Sequence, residues 1–176
     1  LALYALQAVI IVSFFSCDKS SQQIEKTGSG IIVSMPEGDR QQGKKVQLDV
    51  IADNIIRVRA AAADTFASSK SLMIIDDVKN KAAWSVEEQD GRVLLKTSVL
   101  TADVLLSTGE VVFRDATGQV LLQEKEGGGK YFSSVTVDNK DFYSIRQVFE
   151  SPDDEAFYGL GGHQNGQMNY KGEDVE

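Results

Sequence analysis

From Gly30 onward, apolar and polar positions alternate with a period of two, and turn-forming residues interrupt them about every ten residues. That is the pattern of short antiparallel strands with one buried face. Ile31-Ile32-Val33 is a β-branched run that stops at Met35-Pro36-Glu37-Gly38. Val46, Leu48 and Val50 alternate with Gln47 and Asp49, which offers one face to a core and the other to solvent. Asp53-Asn54 then turns the chain, and Ile56 and Val58 alternate with Arg57 and Arg59 on the return, so a hairpin is expected. Trp84 and Val86 lead into Asp90-Gly91, a two-residue hairpin signal, and Val93-Leu94-Leu95 returns. Ala102, Val104 and Leu106 precede Thr108-Gly109, with Val111 and Phe113 beyond it; Asp115-Ala116-Thr117-Gly118 turns into Val120-Leu121-Leu122. Val135, Val137, the turn Asp138-Asn139-Lys140-Asp141 and the run Phe142 to Phe149 continue the meander. Only Ala60 to Ser71, rich in Ala, offers a helical or irregular excursion. Strands of this kind must cover one another's apolar faces, which predicts an all-β antiparallel β-sandwich.

Ahead of the strands the alternation is absent. Leu1 to Ser16 is almost wholly apolar, interrupted by Gln7, Ser13 and Ser16. The run is shorter than the roughly 20 residues of a membrane-spanning helix and fits the apolar region of a secretory signal, with Ser16 as the small residue before a processing site. Cys17 follows directly, and as the single cysteine it forms no intramolecular disulfide. An apolar segment ending at a lone Cys resembles the start of bacterial lipoproteins, whose cysteine becomes the lipidated first residue; the alternative is an incidental thiol. Residues 17–29 would then be the lipidated Cys and a polar tether, 30–150 the sandwich, and 151–176 a segment rich in Gly, aromatic and amide side chains. No Met or basic region precedes the apolar run, so the chain is expected to be cut at its N-terminus.

Composition adds exclusions. The 176 residues are 42% hydrophobic and 25% charged, which is globular composition. With 18 Lys+Arg against 26 Asp+Glu, the net charge of −8 speaks against a nucleic-acid partner, since phosphate binding needs clustered cations. The triple glycine Gly127-Gly128-Gly129 before Lys130 invites a phosphate-loop reading. Glu124 stands where that motif's first glycine belongs and Tyr131 where its Ser or Thr belongs, so a flexible inter-strand loop is expected instead. His163 and Cys17 are each the only residue of their type, so no His/Cys metal site is expected, and no cofactor is implied. No Gly-x-Ser-x-Gly elbow supports a serine nucleophile. Asp153-Asp154-Glu155 reads as a solvated surface loop.

The stretch from Phe157 to Gly172 concentrates glycines, amides and rings. Glycine permits close approach and positive φ, while amides and rings suit sugar hydroxyls and sugar faces; an ordered crossover without a ligand fits the same residues. Here the sequence resembles a family. Phe157-Tyr158-Gly159-Leu160-Gly161-Gly162-His163, followed by Gln164-Asn165-Gly166 and Asn169-Tyr170-Lys171-Gly172, looks like the aromatic, glycine-rich segment in the N-terminal domain of glycoside hydrolase family 31, closest in flavour to bacterial α-xylosidases. Gly162 stands where that family usually has Glu or Gln. Val46 to Val50 with Ile56-Arg57-Val58, and Leu100-Thr101-Ala102 through Phe113-Arg114-Asp115, resemble the domain's strands, so the resemblance spans about residues 30 to 176.

The resemblance implies a galactose-mutarotase-like β-sandwich, here incomplete, that precedes a (β/α)8 catalytic barrel and lends a loop to its active-site rim. It implies a retaining mechanism, with one carboxylate attacking the anomeric carbon and another acting as acid and then base. Both carboxylates belong to the barrel, so no catalytic residue is carried over. The rim candidates are Tyr158, His163, Gln164 and Asn165, and Cys17 is the lipidation candidate. Two readings follow. In the first, the chain is the non-catalytic N-terminal part of a glycosidase acting on α-xylosides or α-glucosides, with its own C-terminal barrel as partner and a lipid anchor holding it to the membrane of a bacterial envelope. In the second, it is a stand-alone lipoprotein that binds carbohydrate or protein.

Overall fold

A computed structural model describes residues 23–36, 43–68, 82–159, 161 and 166–175. Eleven strands and no helix occur among them: β1 (Ile24–Lys26), β2 (Gly30–Ser34), β3 (Lys45–Ala52), β4 (Ile55–Ala61), β5 (Ser85–Gln89), β6 (Arg92–Lys96), β7 (Leu100–Leu105), β8 (Val111–Asp115), β9 (Val120–Gln123), β10 (Lys130–Val137) and β11 (Lys140–Gln147). They form a four-stranded sheet β1-β2-β3-β4, a five-stranded sheet β5-β6-β7-β8-β9 and a separate ribbon β10-β11. Every pairing is antiparallel between sequence neighbours. The apolar run 1–16, read as a signal, and Cys17 lie outside the described residues.

The two larger sheets share one core. Ile31, Val33, Val46, Leu48 and Val50 from the first sheet pack with Val93, Leu95, Ala102, Val104, Leu106 and Val111 from the second. These are the inward positions of the alternation, and burying each large aliphatic side chain contributes about 1.5–3 kcal/mol. Ile56, Val58, Trp84, Val86 and Phe113 pack at the margins of the cluster. The expected sandwich is therefore present, and its turns match the sequence signals. Asp90 and Gly91 adopt φ of 50° and 74°, and Asp138 and Asn139 adopt 49° and 58°, the left-handed pairs that suit two-residue hairpins.

Four differences from the sequence pattern have physical causes. Strand pairing begins before Gly30, because Ile24–Lys26 aligns with Val33 to Ile31 inside the stretch read as a tether. Ala60 and Ala61 extend β4, and residues 62–68 are irregular rather than helical; residues 69–71 lie outside the described set. β10 and β11 leave the meander and pair only with each other among the described strands, with an isolated antiparallel bridge between Glu124 and Phe149 just beyond β9 and β11. Finally, β3 is buried on both faces, since Gln47 and Asp49 are only 8% and 2% exposed.

The outer face of β3 is covered by charge pairing. Asp49 accepts hydrogen bonds from Ser29 Oγ and Gln47 Nε2 at 2.8 Å and from Arg57 Nη2 at 2.8 Å. Arg59 Nη2 donates to Gln47 Oε1 at 2.7 Å while its guanidinium lies 5.1 Å from the Phe66 ring centroid. Burial raises the Asp49 carboxyl, but the Arg57, Ser29 and Gln47 hydrogen bonds outweigh it and hold the group below the usual carboxylate value. The second sheet repeats the device. Asp103 on β7 accepts from Arg92 Nε at 2.6 Å and has Arg114 Nε at 3.8 Å, so the inner strand of each sheet carries a buried aspartate under cross-strand arginines.

Candidate functional site

The glycine-rich segment is a loop closed at its neck by backbone and amide chemistry. Tyr170 N–H donates to the Phe157 carbonyl at 2.8 Å. The Asn169 side-chain oxygen accepts from Phe157 N–H and from Lys171 N–H, both at 3.0 Å. Gln167 Nε2 donates to the Asn169 carbonyl at 3.0 Å, and Lys171 Nζ donates to the Pro152 carbonyl. Phe157 and Tyr170 are thus held together at the two ends of the segment. Gly159, Gly161 and Gly166 take φ of 87°, 119° and 75°, conformations that glycine adopts without Cβ strain.

This arrangement separates the residues of the motif into two groups. Tyr170 is buried, whereas Tyr158 is 65% exposed and Met168 76% exposed. Tyr158 is therefore presented to solvent. His163, Gln164 and Asn165 lie outside the described residues. Asn169, which the composition counted among amides free to meet a ligand, instead spends its carbonyl oxygen on the neck. The acidic stretch Asp153-Asp154-Glu155 is exposed, as expected of a surface loop.

The ribbon is attached to the sandwich through a buried charge cluster that sequence reasoning missed. Lys130 opens β10 and is 6% exposed; its Nζ donates to the Glu124 carboxylate and to the Gly109 carbonyl at 2.9 Å. Glu124 also accepts from Val111 N–H at 2.9 Å and from Gln147 Nε2 at 3.2 Å, while Glu110 accepts from Gly127 N–H at 3.1 Å. Burial pushes the Lys130 ammonium below its usual value against the opposing pull of Glu124 and Glu110. Gly129 fits here because a Cβ would stand 2.2 Å from the Val148 carbonyl oxygen. The triple glycine is accordingly a packed corner, with Gly128 and Gly129 buried, rather than a flexible loop. The one sequence signal was Lys130 next to glycines, six residues after Glu124 at the end of an apolar strand.

The same corner carries the chain toward the loop. Val148 N–H donates to Gly129 O at 2.8 Å, Glu150 N–H to Gln123 O at 2.9 Å, and Glu126 N–H to the Glu150 carboxylate at 3.0 Å. Each of the buried carboxylates Asp49, Asp103, Glu110 and Glu124 is committed to cations or N–H donors of the fold. Among the described residues no group of three or more His, Cys, Asp or Glu is arranged to hold a metal ion.

An all-β sandwich that presents a stapled, glycine-rich aromatic loop defines the class of protein. The chain belongs to the glycosyl hydrolase 31 N-terminal galactose mutarotase-like domain family, which matches residues 45–176. It is 26% identical over 121 residues to an α-xylosidase of Saccharolobus solfataricus, an alignment covering 69% of this chain and 16% of that enzyme. Among solved structures it is similar to the GH31 α-xylosidase of Xanthomonas citri, with a TM-score of 0.74 and 40% identity over 86% of this chain and 16% of the other. A GH31 α-xylosidase from a soil metagenome, complexed with xylose, shares the fold with a TM-score of 0.63 and 22% identity over 85% of this chain and 24% of the other. The chain thus spans a small fraction of the length of these relatives.

Proposed function

We propose that this chain is the non-catalytic N-terminal β-sandwich part of a retaining glycosidase that removes α-linked xylose or glucose from oligosaccharides. The observation that carries the reading is the Phe157 to Tyr170 loop, stapled by Asn169 and presenting Tyr158 outward, in a member of this family. In this reading the loop shapes the rim of an active site on a C-terminal barrel, where one carboxylate attacks the anomeric carbon and the other protonates the leaving oxygen and then activates water. The α-xylosidase relatives supply the sugar class.

The ribbon supports a second part of the reading. Val135, Val137 and Phe142 occupy one face of β10-β11 and are 38%, 54% and 51% exposed. A two-stranded ribbon is marginal alone, and apolar side chains on its open face are suited to pack against the barrel. The apolar start and Cys17 complete the proposal: export across the inner membrane and a lipid anchor at the bacterial envelope.

The test is hydrolysis of an aryl α-xyloside and a xylosylated oligosaccharide by the longer protein, with Tyr158→Ala alongside. The variant is expected to keep its unfolding midpoint and raise KM for the oligosaccharide about tenfold. Unchanged kinetics on the oligosaccharide would remove Tyr158 from the rim.

A further inference from the structure

A cleft of about 630 Å³ opens beside the ribbon, on the face opposite Val135 and Phe142, and is lined by Lys44, Ala62, Ala63, Asp64, Phe132 and Tyr143 together with Ser133 and Ser134. Its volume falls within the range of small-molecule sites. Strand alternation places Phe132, Ser134 and Tyr143 on one face, with Tyr143 directly opposite Ser134. Phe132 and Tyr143 meet edge to face, centroids 6.2 Å apart and planes at 89°. Phe132 is seated from behind: Gly43, at φ 83°, lies so close that a Cβ there would stand 2.9 Å from the Phe132 ring. Tyr143 remains 54% exposed.

Across from the rings, Lys44 Nζ and Asp64 Oδ2 pair at 3.1 Å, with the two side chains 45% and 76% exposed. We propose that this cleft is a second binding site, separate from the glycine-rich loop, and that it takes a neutral, polyhydroxylated ring: a sugar unit of an oligosaccharide. The pair offers donors and acceptors with no net charge, so an anion meets Asp64 and a cation meets Lys44, while a neutral polyol can use both. The ring surfaces of Phe132 and Tyr143 suit the C–H face of a pyranose, and the Ser134 hydroxyl donates or accepts as required. The proposal goes beyond the rim reading and borrows from it only the choice of probe.

The experiment is an NMR titration of the 15N-labelled chain with maltotriose and with xylose up to about 50 mM, a range that reaches weak sites. The expected result is saturable shifts at the amides of Lys44, Ala62, Asp64, Ser134 and Tyr143. Tyr143→Ala and Asp64→Asn should each weaken binding about tenfold while leaving the dispersion of the remaining amides unchanged. Shifts confined to residues 157–172 would overturn the cleft and leave the rim reading standing. Absence of shifts anywhere, or equal shifts with sodium acetate in place of sugar, would also overturn it. Hydrolysis of a small aryl glycoside by the longer protein is read independently of this titration, so failure of the cleft is distinguishable from failure of the proposed function.

Discussion

The sandwich and the ribbon are built from the same kinds of residue yet treat them in opposite ways. In the sandwich, Ile31, Leu48, Leu95 and Val104 are fully buried, and even the outward Asp49 and Asp103 are covered by arginines. In the ribbon, Phe142, Tyr143 and Ile145 are 51%, 54% and 70% exposed on a strand that pairs with one other among the described strands. The difference teaches that apolar burial is uneven along the chain, concentrated where two sheets face each other. The facing sides of the first two sheets cover each other, whereas the ribbon, Phe157 and Tyr158 beyond it, and the edge strand β9 with Val120, Leu121 and Leu122 offer apolar and aromatic surface outward. Between them sits the Glu124–Lys130 corner, where a buried ion pair substitutes for an apolar interface.

That corner gives the largest expected effect. Lys130→Met leaves Glu124 buried without its cation and should cost about 3–5 kcal/mol in urea unfolding followed by circular dichroism. Adding Glu124→Leu should recover part of the loss, since removing both charges relieves the orphaned one; no recovery would mean that the pair does not hold the ribbon to the sandwich. Next comes the contrast itself. Leu48→Ala opens a cavity between the two sheets and should cost about 2–5 kcal/mol, while Phe142→Ala on the ribbon should cost less than about 1 kcal/mol. Equal losses would erase the distinction between the regions.

A pH series sharpens the same comparison. The Asp49 carboxyl is held below the ordinary aspartate value of 3.8, so its stabilising contribution is present above that value and is lost as pH falls through the folded-state value. Asp49→Asn should destabilise by about 1–3 kcal/mol at neutral pH and flatten the acid limb of the stability curve. A variant as acid-sensitive as the parent would remove Asp49 as the cause. Smallest is Asn169→Ala, which opens the neck of the loop at a cost of about 1 kcal/mol. Hydrogen exchange should accelerate about fivefold at the amides of Phe157 and Lys171 and stay unchanged at Leu48. Acceleration at Leu48 as well would show that loop and core unfold as one unit.

Much of this architecture is legible in the sequence because it depends on local rules. Alternation at Val46, Leu48 and Val50 reports a core face, and Asp90-Gly91 reports a tight turn, without reference to distant residues. What is not legible depends on pairing at a distance. Nothing local says that Asp49 and Asp103 are buried, because their burial comes from arginines on neighbouring strands. Nothing local says that β10 and β11 leave the second sheet, because β9 is free to accept a further partner. The glycine-rich segment was readable as a motif by resemblance, but Asn169 as a staple was not; its role follows from Phe157 and Lys171 converging on one oxygen.

The central claim is that this sandwich supports a catalytic unit and does not itself cleave glycosides. It is tested most directly by assaying the 176-residue chain and the contiguous longer protein in parallel on an aryl α-xyloside and an aryl α-glucoside. The account predicts turnover by the longer protein and none by the chain alone at equal concentration. Hydrolysis by the isolated chain, or a contiguous protein that cleaves neither substrate, would contradict it.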